Sequence, residues 1–183
     1  CDRHQPEEDR PPMPEPAKIR NVAVVGHRGT GKTSLVEALL FQSGAVNRLG
    51  TVEAGTTISD SDEDEHKRQL SISMSLEHAT WQERKLNLID VPGDPSFQGE
   101  LRTAARVVEG ALVTVSGVMG VEVGTSRAWK LAAELDLARV VFVNMLDRER
   151  ADFFRTLAQL RSQVSPQCVA VHIPIGSEHD LTG

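Results

Sequence analysis

The residues with the clearest chemical meaning are Gly26-His27-Arg28-Gly29-Thr30-Gly31-Lys32-Thr33, followed by Ser34. This stretch matches the Walker A pattern without a mismatch. Glycines at 26, 29 and 31 let the backbone wrap closely, so that successive N–H groups can face phosphate oxygens. A helix opening near Lys32 aims its positive dipole end at the same anion. Lys32 brings a full charge to the β- and γ-phosphates, and the Thr33 hydroxyl is a hard oxygen ligand for Mg²⁺. His27 and Arg28 read as loop residues whose backbone matters more than their side chains.

A second group is Asp90-Val91-Pro92-Gly93, followed by Asp94. An apolar strand precedes Asp90 and a Pro-Gly turn follows it. A carboxylate there can hold a water in the Mg²⁺ shell. Gly93 can offer its N–H to the γ-phosphate, because no side chain blocks the approach. A strand-ending Asp before Pro-Gly is often only a turn; downstream of a phosphate loop it reads as a nucleotide contact.

The third group is Asn144-Met145-Leu146-Asp147, after the apolar run Val140–Val143. The Asp147 carboxylate can accept hydrogen bonds from guanine N1–H and the exocyclic amine. Adenine lacks that donor pair, and a site built around such a pair strongly rejects the analogue without it. The competing reading of Asp147 is a helix N-cap, a position Asp favours.

Regular elements must position these groups. Asn21–Val25 reads as a buried strand, and Lys32–Ser43 as a helix. Residues 44–69 read as a long polar loop, ending in the acidic run Asp60–Glu65. Strands follow at Leu70–Leu76 and Leu86–Asp90, joined through Glu77–Lys85. Phe97, Leu101, Ala105 and Val108 mark one helix face. The pattern then alternates: strand Ala111–Val115, helix Ser126–Leu135, strand Val140–Asn144, a helix through Phe153, Leu157, Leu160 and Val164, and a last strand near Val169–Pro174. Strands alternating with amphipathic helices imply an α/β, doubly wound and mostly parallel sheet. Such sheets bind ligands at the carboxyl ends of their strands, where all three groups fall.

The length of 183 residues suits one domain, and residues 1–17, rich in Pro and charge, read as a disordered lead-in. A net charge of −6 argues against a domain that grips nucleic acid by its whole surface or reads its sequence. No apolar run reaches membrane-spanning length. Cys1 and Cys168 have neither metal-ligand spacing nor a disulfide signature, which fits a reducing cytoplasm. The first residue is Cys rather than Met; since the interior motifs need cytosolic nucleotide, a fragment is the simpler reading than a mature lipoprotein.

From about Ile19 to Gly183 the sequence resembles the translational GTPases, most closely elongation factor G and its bacterial paralogues. The resemblance rests on Gly26-His27, Arg68 through Ser73, Asp90–Gly93, Gly120-Val121-Glu122, Asn144–Asp147 with Arg148, and Pro174-Ile175-Gly176, in that order and spacing. It implies a P-loop domain over residues 18–183 that binds GTP or GDP with magnesium. It further implies docking on the ribosome through the full-length protein and GTP hydrolysis there. Thr33, Ser71 and Asp90 would serve the metal, Lys32 and Asp94 the chemistry, and residues 44–73 and 90–100 would be the switch segments.

Four departures qualify that picture. The family's Arg-Gly-Ile-Thr reads Arg68-Gln69-Leu70-Ser71, where Ser71 keeps a hydroxyl. Met145 replaces the usual Lys, so weaker nucleotide affinity is expected while Asp147 keeps the specificity. Asp94 stands where the family carries a water-positioning His, and its charge beside the γ-phosphate should slow the chemistry. The chain stops before the family's last guanine motif. A GTP-binding switch with little turnover is therefore the alternative to a GTPase. A P-loop kinase or ATPase is disfavoured by Asn144 and Asp147.

Overall fold

The computed structural model describes residues 14–52, 54–58 and 73–182. Residues 1–13 of the expected lead-in lie outside them. Its end, Pro16–Lys18, forms one 3-10 turn leading into the first strand.

Five strands form one sheet: β1 (Ile19–Gly26), β2 (Ser75–Trp81), β3 (Arg84–Asp90), β4 (Gly110–Ser116) and β5 (Ala138–Asn144), in the order β2-β3-β1-β4-β5. Neighbours pair in parallel except β2 with β3. The helices are α1 (Lys32–Gln42), α2 (Gln98–Ala104), α3 (Val123–Glu134) and α4 (Phe153–Gln163). The sheet is the expected mostly parallel one, flanked by helices. Strand β1 is central and covered on both faces, which is why its sequence is a continuous apolar run rather than an alternating one. Its residues Ala23–Gly26 are all buried.

The pleat sends alternate residues to opposite faces. Ala23, Val25, Ile89, Val91, Val113 and Val115 pack with Ala104 of α2, Ala128 and Ala132 of α3 and Leu160 of α4. Val24 and Leu88 turn the other way, onto Val36 and Leu40 of α1. Val140 and Phe142 of β5 remain 64% and 41% exposed.

Two expected strands need correction. The first hairpin strand runs over Ser75–Trp81, not 70–76, and residues 70–72 lie outside the described ones. A two-residue turn, Gln82-Glu83 with φ of 47° and 62°, sets the register and joins Trp81 to Arg84. This turn type matches the natural twist of a hairpin. The strand was hidden in the sequence because it lies at the sheet edge and buries only Ala79, so its other residues can be polar.

The second correction concerns Val169–Pro174, which is not a strand. Val169, Val171, Ile173 and Ile175 are 61–83% exposed. The alternation was real, but no neighbouring strand takes its backbone groups among the described residues, and β5 stays at the edge of the sheet.

The described part of the expected polar loop is tied down by Glu37 of α1. This side chain is 1% exposed and accepts the Ile58 N–H. Gly50 packs against the same carboxylate, with no room for a side chain. Burial, and then the charge of Glu37, push the nearby Glu77 carboxyl above the ordinary range.

Replacing Leu160 with Ala should cost about 2–5 kcal/mol of stability, as for a large buried aliphatic side chain. Val171→Ser should stay within about 0.5 kcal/mol. Urea unfolding of the two variants checks both. A large effect at 171 would mean that this segment packs after all.

Candidate functional site

The site is built on the carboxyl ends of β1, β3 and β5. Between β1 and α1 the chain turns through Gly29 and Gly31, with φ of 74° and 80°. Gly31 needs to be glycine on two counts. Its φ is left-handed, and a Cβ there would run into the Asn144 carboxamide.

Three of the loop's carbonyl groups have partners. The His27 carbonyl accepts from Thr30 Oγ1 at 2.9 Å and from Lys32 Nζ at 3.0 Å. Asn144 Nδ2 donates to the Thr30 carbonyl at 2.9 Å. The Gly31 carbonyl accepts from Leu35 N–H at 2.9 Å, the first bond of α1. In contrast, the amides of Arg28, Gly29, Thr30 and Gly31 donate to no group among the described residues. Buried backbone donors are nearly always paired; of these residues Arg28 and Gly29 are exposed, Gly31 is partly buried and Thr30 is buried. Four consecutive unpaired donors before a helix N-terminus suit an anion with several oxygens.

Thr30 itself points inward. It is 1% exposed, and its hydroxyl lies 2.7 Å from that of Thr114 on β4. Its contribution to a ligand is therefore through the backbone. Ser34 is exposed on the first turn of α1.

At the end of β3, Thr33 Oγ1 donates to Asp90 Oδ2 at 2.6 Å, and the two residues are 8% and 2% exposed. A buried hydroxyl and a carboxylate in contact form a hard-oxygen pair of the kind magnesium selects. Among the described residues no cluster of three His, Cys, Asp or Glu exists. Magnesium commonly takes most of its shell from phosphate and water. Ser71, expected as a further ligand, lies outside the described residues.

Val91 is a core residue, 1% exposed, and its amide continues the sheet by donating to the Val24 carbonyl. Pro92 is buried beside it. Gly93 lies against the phosphate loop: a Cβ there would be 2.5 Å from Lys32 Nζ and 2.7 Å from Arg28 N. Asp94 caps the 3-10 turn Pro95–Phe97, with Oδ1 accepting the Ser96 N–H at 2.9 Å. Its Oδ2 is 3.8 Å from Arg28 Nη1. The Ser96 amide first, then the Ser96 hydroxyl and the Arg28 guanidinium, hold the Asp94 carboxyl below the usual carboxylate range.

At the end of β5, Asn144 serves the loop rather than standing open. Its Nδ2 holds Thr30, and its Oδ1 accepts the Met145 N–H at 2.8 Å. Met145 has φ 61°, and its methyl group lies near Gly31. Leu146 packs toward Gly117, and its carbonyl accepts from Glu178 N–H at 3.1 Å. Asp147 is exposed on the turn that follows. It is not a helix N-cap; Asp152 is, accepting the Arg155 N–H at 2.9 Å. Arg155 Nη2 also donates to the carbonyls of Gly117, Val118 and Arg150, and Glu178 Oε1 accepts the Arg150 N–H.

Several participants were not legible in the motifs. The His27 side chain bridges to the start of α3. Its Nδ1 accepts the Gly124 N–H at 3.3 Å, which places the ring proton on Nε2, 3.4 Å from Glu122 Oε1. Arg28 faces Asp94. Arg155 and Glu178 brace the turn that carries Asp147.

Known proteins resemble this chain over most of its length. The family model described as the elongation factor Tu GTP binding domain matches residues 17–176. Elongation factor G of Granulibacter bethesdensis is 34% identical over 170 residues, covering 93% of this chain and 24% of that protein. The crystal structure of ttk003000868 from Thermus thermophilus superposes with a TM-score of 0.85 at 39% identity, covering 91% of this chain and 25% of that one. The chain thus spans about a quarter of the length of either relative.

The depressed Asp94 carboxyl predicts a pH signature. Its lowered folded value means that the cap on Ser96 is complete above the ordinary aspartate range and is lost only as pH falls through the lowered value. The Ser96 amide resonance should therefore titrate with a midpoint below about 3.9, the value of an unperturbed aspartate. A midpoint at or above that value would contradict the contact.

Proposed function

The chain belongs to the elongation factor Tu GTP-binding domain family, a family of GTPases, and from that premise we propose that it binds GTP and GDP with magnesium as the nucleotide switch of an elongation factor G-like protein. The observation that carries this reading is the run of amides at 28–31 with no partner among the described residues, beside the buried Thr33–Asp90 pair. The first suits a polyphosphate and the second a hard cation bound to it.

In this reading the amides of Arg28 to Gly31 and the Lys32 ammonium hold the β- and γ-phosphates. The Thr33 hydroxyl and the Asp90 carboxylate would hold magnesium. Magnesium supplies charge neutralisation on the phosphates. Gly93, pressed against Lys32 and the loop, offers its N–H to the γ-phosphate and thereby links the segment after β3 to the nucleotide state. Asp147, exposed beyond the Asn144 clamp, reads guanine, with Met145 as an apolar cover. Full-length protein, in the cytoplasm, docks on the ribosome and hydrolyses GTP there. Water attacks the γ-phosphorus, the bond to the β–γ bridging oxygen breaks, and GDP and phosphate result.

A catalytically weak switch remains the second reading, and one observation favours it. The Asp94 carboxylate is already engaged by the Ser96 amide and faces Arg28, which leaves it poorly placed to orient a water. No described helix is long and apolar enough to cross a membrane.

Titration with fluorescent GDP and GTP, with and without magnesium, should show binding that magnesium strengthens. The absence of any guanine nucleotide binding would overturn the proposal. Asp147→Asn should reduce the preference for GTP over ATP on the order of 10- to 100-fold, the loss of hydrogen bonds to a charged group. Asp94→His should raise ribosome-stimulated hydrolysis in the full-length protein; an unchanged single-turnover rate would remove Asp94 from the reacting water.

A further inference from the structure

The sequence poses a problem at position 94, because a carboxylate there adds negative charge at the end of the site where a terminal phosphate would lie. The fold supplies a counter-charge from the phosphate loop itself. Arg28 Nη1 is 3.8 Å from Asp94 Oδ2, and the two side chains are 63% and 18% exposed. The other carboxylate oxygen, Oδ1, is fixed by the Ser96 N–H. Asp94 is thus held in place by its own turn, with its second oxygen directed at the guanidinium.

The backbone fixes where this pair sits. Gly93 packs so closely on the loop that a Cβ would stand 2.7 Å from Arg28 N and 2.8 Å from the His27 carbonyl carbon. The next residue, Asp94, must therefore emerge beside Arg28. His27 helps to hold that part of the loop through Gly124 and Glu122.

We propose that Arg28 is a specificity-determining residue whose guanidinium neutralises Asp94 and so lets the site accept a nucleoside triphosphate. The inference rests on the nucleotide-binding reading above. In GDP the β-phosphate is held by the loop amides and Lys32, and a charge at 94 matters little. In GTP the terminal phosphate lies toward residues 93–94, and an uncompensated carboxylate would repel it. An arginine suits the task because it stays charged at every relevant pH and offers several donors in a planar fork.

The test compares affinities of the purified protein for fluorescent GDP and for a fluorescent non-hydrolysable GTP analogue, with magnesium at low salt. Arg28→Gln should weaken the triphosphate relative to GDP about two- to fivefold, the scale of an exposed ion pair. Adding Asp94→Asn to Arg28→Gln should restore the unmodified ratio, since the charge needing compensation is gone. Both effects should shrink as salt rises.

Two results would overturn the inference. One is an Arg28→Gln ratio equal to that of the unmodified protein. The other is a triphosphate-specific loss that Asp94→Asn fails to reverse, which would mean that Arg28 acts on the nucleotide independently of Asp94. Unmodified protein that binds neither nucleotide would instead defeat the nucleotide-binding reading itself. Retained GDP binding in each variant shows that the fold is intact.

Discussion

Four successive backbone amides, from Arg28 to Gly31, without partners among the described residues are the constraint on which the rest depends. A chain segment keeps its donors unpaired only if something else fixes its shape. Here the fixing comes from the carbonyl side. The Thr30 hydroxyl and Lys32 ammonium close the loop on the His27 carbonyl, Asn144 holds the Thr30 carbonyl, and α1 begins on Gly31. Thr114 buttresses Thr30 from below through a buried contact between their hydroxyls. The central strand brings the loop to the sheet's carboxyl edge, and its two parallel neighbours deliver Asp90 and Thr114 to it.

The elements around this loop divide the labour. On one side of the sheet, α2, α3 and α4 build the larger cluster, and α3 sends Glu122 and Gly124 at its start to His27. On the other side α1 carries a buried carboxylate, Glu37, that reaches the chain at Ile58. The segment leaving β3 presses onto Lys32 through Gly93. The segments at 50–58 and 91–97 are thus attached to the glycine-rich loop or to the helix that it opens.

Much of this was legible before any coordinates. The phosphate loop, the Asp90 strand end and the alternation of strands and helices are local patterns, encoded within a few residues of themselves. What could not be read depends on distant partners. Asn144 meets Thr30 across 114 positions, and Gly124 meets His27 across 97. No motif announces that Arg28 will face Asp94. The hairpin was displaced because an edge strand with one buried residue leaves almost no apolar signal. The segment 169–174 failed for the opposite reason: it carries a strong alternating signal, yet pairing requires a neighbour, and periodicity reports only one side of that contract. At Asp147 the N-cap reading fails, because the following helix begins later and Asp152 takes its cap.

The contact between Gly31 and Asn144 ties two positions together. The carboxamide fills the space that any larger residue at 31 would need, and it also bears the hydrogen bond that shapes the loop. The two are not independent: a side chain at 31 would evict the amide, and a bulkier group at 144 would distort the loop. Space at 31 and hydrogen bonding at 144 are thus one constraint shared by two residues, and each limits what the other can hold.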